Sequence, residues 1–456
     1  MTTTGSLDDT AVRDLRGRLR GQLLQPADPG YDGARKIDNA MIDRRPALIV
    51  RCAGVADVLA AVRFAREHDV LVSVRAGGHN VAGNAICDDG VVIDLSLMKG
   101  VRVDPVGRTV QAQAGVTWGD LDAETQAFGL ATTGGVISTT GIAGLTLGGG
   151  VGWLNGRFGL ACDNLIAADV VTAEGKLVRA SEKENADLFW GLRGGGGNFG
   201  IVTSFEYRLH PLGPMILSGP VFHPAARARE VLRFYREFSA SEPDELTTYA
   251  GLLTGPDGTP LVGLVPCFAG PPDQGEKVVE RLRRFGPPAV DMVGAMPYVA
   301  VQRMFNDAFP PGRYNYWKSS LAPQLSDELI DTIVEHMVRV PSPHSAVMLE
   351  HYHGAYSRPA STATAYSHRR PTYDVVIIGN WASQADGERN IAWVRELFAA
   401  VRSQVSEAAY VNFLDGDEGA QRVRAAYGEN YDRLVGLKRR YDPTNFFRMN
   451  QNIRPE

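Results

Sequence analysis

Cysteine is scarce in this chain. There are four in 456 residues, Cys52, Cys87, Cys162 and Cys267, and no two have C-x-x-C spacing. That excludes a disulfide scaffold and a paired-thiol metal or redox motif. Cys52 and Cys267 stand in the apolar stretches LIVRCAG and LVPCFAG, where a free thiol acts as a small buried hydrophobe. Excess charge is also absent: the formal net charge is −5, without the basic footprint of a nucleic-acid binder. No run approaches the roughly 18 apolar residues of a membrane span. The start, MTTTGSLDDT, is polar and acidic and lacks the basic patch and apolar core of a signal peptide. A cytoplasmic protein is the expectation. No internal repeat or low-complexity segment is visible.

What the chain has in abundance is glycine, 50 residues against a usual share of roughly 7%. They crowd between Gly77 and Gly200. The length suits two or three domains. ALIVRC (47–52), an amphipathic helix over 55–69 and LVSV (71–74) read as a strand–helix–strand start. Short strands follow at 91–95, 101–104 and 109–115, then a helix over 117–129 with Thr117 as N-cap. DVVTAEGKLV (169–178) reads as a hairpin. From about 214 to 410, strand-like runs alternate with helices at 231–238, 326–338 and 390–401. The pattern predicts an α+β protein. A first module over 1–211 has two α/β parts. A second, 212–410, has a large antiparallel sheet covered by helices. The tail, 411–456, is too short for its own core and must dock on the first module.

Gly195, Gly197 and Gly200 match G-x-G-x-x-G. A dinucleotide turn of that kind must open a helix. Here IVTSFEYRL follows, with Phe205, Tyr207 and Leu209 alternating with charged residues. That is strand periodicity, so the Rossmann reading fails. A P-loop fails for lack of G-K-[ST]. The stretch TTGIAGLTLGGGVG is either a set of tight turns or a backbone nest for a phosphate group. RAGGHNVAG (75–83) places one histidine in a glycine turn at a strand end, where a ligand can approach the backbone closely.

Taken together, RAGGHNVAG, GWLNGRFGLACDNL and YDPTNFFRMNQNI resemble the berberine-bridge-enzyme-like FAD-linked oxidases of the vanillyl-alcohol-oxidase fold. The resemblance spans nearly the whole chain and is strongest over 45–210 and 405–455. It implies a PCMH-type FAD-binding first module and a substrate-binding second module. It implies that His79 bonds the flavin 8α-methyl group and Cys162, within G-x-x-C-D-N, bonds flavin C6. Arg75, Gly77, Gly78, Asn80, Gly83 and Asn164 belong to the same two motifs. Gly135, Gly141, Thr146, Gly149 and Gly150 would line the pyrophosphate and ribityl region. Gly200 and Val202 would lie near adenine, and Asn450 and Gln451 at the flavin edge.

The implied reaction is hydride transfer from a small organic substrate to flavin N5, with a base taking the neighbouring proton. Dioxygen is the expected electron acceptor, giving hydrogen peroxide. Leu165 falls where relatives control oxygen access, so oxidase and dehydrogenase both stay open. Tailoring of a secondary metabolite is the expected role. A sugar oxidase and a non-redox flavin protein are the alternatives. Relatives carry Y-x-N-[YH] on a strand above the flavin, with the fourth residue often catalytic. Here it is Tyr410-Val411-Asn412-Phe413, and Phe413 takes no proton. The catalytic candidates are therefore Asp374, Tyr352, His353 and Tyr410. Strand alternation puts His351 and His353 on one face and Tyr352 on the other. A pair of histidines without a third ligand does not make a metal site, and none is expected.

Overall fold

The β-branched runs early in the chain pair into a small sheet. This computed structural model describes residues 7–456; the polar start at 1–6 lies outside them. The strand order is Gln22–Leu24, Leu48–Arg51, Val91–Asp94, Val72–Arg75. The last three run parallel, with Leu48 and Val72 both opposite Val91. Parallel neighbours need a crossover. Helix Val55–Glu67 supplies it and buries Val58, Ala61, Val62 and Ala65, the stripe its spacing predicts. The buried carboxylate of Asp57 accepts from the amides of Arg20, Gly21 and Ala53 at 2.9, 3.0 and 2.8 Å, which ties the loops around that helix start.

A second, antiparallel sheet has the order Val101–Asp104, Thr109–Gln113, Ile201–Arg208, Leu165–Val171, Leu177–Ser181. The strand after the G-x-G-x-x-G match is its centre, which confirms on structural grounds that no dinucleotide helix starts there. Helix Trp118–Gln126 begins with a capping box between Thr117 and Asp120. One continuous core gathers these two sheets and the tail, from Val12 through Leu209 to Ile453.

The remaining chain builds a large antiparallel sheet. Its main path runs Val290–Asp291, Val221–Pro224, Pro260–Phe268, Leu246–Thr254, Ala346–Tyr352, Thr372–Trp381, Tyr314–Ala322. Helices Ala228–Ser239, Pro272–Arg283, Asp327–Met337 and Gly387–Val401 cover one face. The register sets which side chains face which way. Leu349 pairs with Val375 and His351 with Tyr373; Leu349, Tyr373 and Val375 pack into the helix-side core. Glu350, Tyr352 and Asp374 therefore point to the opposite face, toward the first module.

The tail packs into the core of the two smaller sheets and is fixed by a buried latch. Lys438 Nζ donates to Asp442 Oδ2 at 2.7 Å and to the carbonyls of Asn198 and Phe447 at 2.8 Å each. Asp442 also accepts from the amides of Phe446 and Phe447 at 2.8 Å each. Among the described residues no helix is long and apolar enough to cross a membrane.

Candidate active site

Where the large sheet meets the first module there is a cavity of about 310 Å³. Ala76 to Asn80, the helix Ile142–Leu147 and its preceding Gly141, the 196–202 segment and the tail residues Phe447, Met449, Asn450 and Gln451 line it. Tyr410 to Phe413 close another side, and the large sheet contributes Trp317 and Glu350. The two glycine loops meet backbone to backbone. A Cβ on Gly77 would stand 2.5 Å from Gly141 N, and one on Gly141 would stand 2.7 Å from Gly77 N. Glycine is thus required at both positions to form the cavity wall.

His79 faces this cavity. Its Nε2 lies 3.0 Å from Thr139 Oγ1 and 3.9 Å from Asp38 Oδ1. Burial lowers the imidazole pKa from its usual value, against the pull of Asp38. Burial raises the Asp38 carboxyl. Thr139 and Asp38 thus engage the Nε2 side of the ring.

Of the other expected cofactor residues, Gly77, Gly78, Asn80, Gly141, Gly200, Val202, Asn450 and Gln451 line the cavity. The rest serve its walls from behind. Arg75 donates to the Ala34 carbonyl. Gly83 packs on Ile42 and Gly149 on Tyr366. Gly135 offers its carbonyl surface to Gly152. Thr146 Oγ1 is 2.8 Å from the Tyr207 hydroxyl. Asn164 Nδ2 donates to the Phe158 and Leu160 carbonyls at 2.9 Å each. Leu165 sits in the first-module core. Cys162 is fully buried, clustered with Val151 and Tyr410, which do line the cavity. Burial pushes its thiol pKa far up, while Arg369 and Arg193 pull it down. Arg369 holds the adjacent Asp163 through two bonds of 2.7 and 2.8 Å.

The catalytic candidates separate clearly. Tyr352 and Asp374 face the cavity side, but the carboxylate that reaches the cavity is Glu350. Glu350 pairs directly with Asp374 across two strands. The Tyr352 hydroxyl bridges them, 2.7 Å from Glu350 Oε2 and 3.2 Å from Asp374 Oδ2. Burial first, and Asp374 second, push the Glu350 carboxyl up to about 8. Burial pushes Asp374 up to about 7. Both carboxyls are thus pushed toward the neutral range, with the Tyr352 hydroxyl between them. Burial also pushes the Tyr352 phenol well above its ordinary value, so it bridges rather than deprotonates.

Two expectations need correction. His353 lies on the helix side of the sheet, its Nε2 2.9 Å from the Leu246 carbonyl, and it does not line the cavity; its odd register puts it there. Residues Tyr410 to Phe413 form a short 3-10 turn at Val411–Phe413, not a strand. The Tyr410 oxygen accepts from Gly150 N, Val151 N and Asn412 Nδ2 at 3.0, 3.4 and 2.7 Å. That phenol fastens the glycine loop, and burial raises its pKa. Glu350, Trp317, Thr139 and Asp38 were not singled out from sequence. For Glu350 a signal existed, because it stands two residues before Tyr352 on one strand face.

The residues suit FAD. Glycine backbones meet without room for a Cβ, helix Ile142–Leu147 starts without a side-chain cap, and the buried Asn450 Oδ1 has no hydrogen-bond partner. Such a cavity between a glycine-rich module and a helix-backed sheet defines a flavin-dependent oxidoreductase. The chain belongs to the berberine-bridge-like family of FAD-linked oxidoreductases and is an enzyme. Residues 46–181 match the FAD binding domain and 409–454 the "Berberine and berberine like" segment. An FAD-linked oxidoreductase of Dictyostelium discoideum is 31% identical over 97% of each chain. The (R)-6-hydroxynicotine oxidase of Paenarthrobacter nicotinovorans is 33% identical, with 96% of this chain and 97% of the relative covered. The crystal structure of 6-hydroxy-D-nicotine oxidase from Arthrobacter nicotinovorans superposes with a TM-score of 0.87 at 31% identity, covering 96% of this chain and 98% of that one.

Proposed function

We propose that the protein oxidises a small, largely apolar amine or alcohol, with Glu350 as the base, in the tailoring of a secondary metabolite. The observation that supports this most is the placement of Glu350, with its raised pKa, in the same cavity as His79. Trp317 and Phe413, ring centroids 5.9 Å apart, give that cavity an aromatic wall. It suits a ring system better than a sugar, whose hydroxyls need many polar partners. FAD, when bound, supplies the two-electron acceptor for the substrate's hydride and passes the electrons to dioxygen, which takes two protons to become hydrogen peroxide.

Glu350 accepts the proton from the substrate N–H or O–H as the neighbouring C–H bond breaks, leaving a C=N or C=O product. Asp374 and Tyr352 hold its carboxylate in place. His79 would hold the flavin covalently, with Asp38 and Thr139 fixing the imidazole, and Cys162 would supply a second covalent link. The test is acid denaturation followed by anaerobic titration. Yellow colour should remain with the precipitated protein, persist in His79→Ala and Cys162→Ala singly, and leave in the double variant. Free FAD released from the unmodified protein rejects the covalent assignment. Amines and alcohols carrying a ring should bleach the flavin band and release peroxide in air. Bleaching only by sugars rejects the substrate class.

A further inference from the structure

The catalytic cavity leaves the His-x-His pair unused. We propose that His351, His353 and Glu242 form a divalent-cation site of the zinc type on the helix-covered side of the large sheet. This does not depend on the substrate reading above.

Residues two apart on a strand share a face. The two rings stack with centroids 4.9 Å apart and planes 12° apart. The missing third ligand comes from a distant part of the chain, just beyond helix Ala228–Ser239. Glu242 Oε2 lies 3.5 Å from His351 Nδ1 and 3.3 Å from His353 Nε2. A tetrahedral ion with ligand distances of about 2.0–2.1 Å requires ligand atoms roughly 3.3–3.4 Å apart. These contacts already have that separation, and all three residues offer ligand atoms within 4.8 Å of one another. The Glu242 side chain is 0% exposed. Neither of its oxygens makes a hydrogen bond, and neither does His351 Nδ1. A buried carboxylate in that state is costly unless a cation compensates it.

His353 Nε2 has a competing partner, the Leu246 carbonyl at 2.9 Å. Cation binding displaces the proton it would donate there. Two imidazoles and one carboxylate favour a zinc-type ion over the oxygen-preferring alkaline-earth cations. The site would staple the end of strand Ala346–Tyr352 to the end of helix Ala228–Ser239. It sits at a module junction: a Cβ on Gly354 would stand 2.4 Å from the Gly156 carbonyl of the first module. The chain beyond carries Arg369 to Asp163, beside Cys162.

The experiment uses untagged, flavin-loaded protein, stripped with a chelator and then given zinc chloride. Elemental analysis after dialysis should find about one zinc per chain, and the thermal midpoint should rise with zinc concentration. His351→Ala/His353→Ala should lose both responses, and the nearly isosteric Glu242→Gln should weaken zinc retention about tenfold or more. Far-UV circular dichroism verifies that each variant is folded, and Glu242→Gln decides alone if the double variant does not fold. Stripped wild-type protein that neither retains zinc nor gains thermal stability overturns the site. Equal retention by wild type and Glu242→Gln overturns it too.

Discussion

Glu350 and Asp374 show how one residue's neighbours fix its chemistry. Each is a buried carboxyl on an interior strand, and the Asp374 charge adds to burial in raising the need of Glu350 for a proton. With Glu350 up at about 8 and Asp374 at about 7, the base is mostly protonated at neutral pH and active above it. The turnover rate should therefore climb close to tenfold per pH unit below about pH 8 and level off above it. Glu350→Gln should lower kcat by roughly 10²–10⁴-fold, the usual contribution of a positioned base, and remove the pH dependence. Asp374→Asn removes the neighbouring negative charge, so the rise should move to lower pH. Stopped-flow flavin reduction across pH 6–10 measures all three. An unshifted profile in Asp374→Asn would mean that the pair is not coupled. The glycine turn at a strand end drew attention to His79, and its expected role came from the resemblance of the RAGGHNVAG motif. Alternation put Glu350 on the face of Tyr352, but which face looks toward the cavity follows from the pairing of Leu349 with Val375, a register no single stretch encodes.

At the scale of elements, local periodicity carried far. The helix over 326–338 forms as Asp327–Met337 with Ser326 accepting from Leu329 N at 3.1 Å, and the helix over 117–129 forms with its expected cap. Residues 410–413 behave otherwise, because three amide donors converging on Tyr410 decide their shape, and two of those donors lie some 260 positions away in the chain. The tail shows the same limit. Its lack of a core foretold docking, but the latch depends on Lys438 reaching the Asn198 carbonyl. Lys438 and Asp442 are each 0% exposed. Breaking a buried pair by removing one partner costs about 3–5 kcal/mol. Lys438→Met should lower stability by that amount in urea denaturation. It should also speed the loss of flavin from a His79→Ala/Cys162→Ala background, because Asn450 and Gln451 follow the latch into the cavity wall. A tail mutant that unfolds at the wild-type midpoint would contradict the latch.

For the molecule as a whole, the two modules meet across more than the cavity. Helix Trp118–Gln126 of the first packs on helix Tyr298–Arg303 of the second, and Asp122 lies between them, 1% exposed. Neither of its oxygens has a partner by hydrogen-bond geometry, and the same holds for both side-chain polar atoms of Gln302. Burial pushes the Asp122 carboxyl up to about 8, against about 3.9 for an unfolded aspartate. Between those values the folded chain holds a proton that the unfolded chain has released. The stabilising contribution is thus complete below about pH 4 and is lost as pH rises toward 8, at up to about 1.4 kcal/mol per pH unit. Glu350 and Asp374 act in the same direction, so the thermal midpoint should fall from pH 5 to pH 8. Asp122→Asn keeps the shape and removes the titration. It should flatten the slope by the aspartate's share and leave the variant more stable than wild type at pH 8, by up to several kcal/mol. Parallel Tm–pH curves for the two proteins would show that Asp122 is ionised in the fold and that the junction carries a buried negative charge instead.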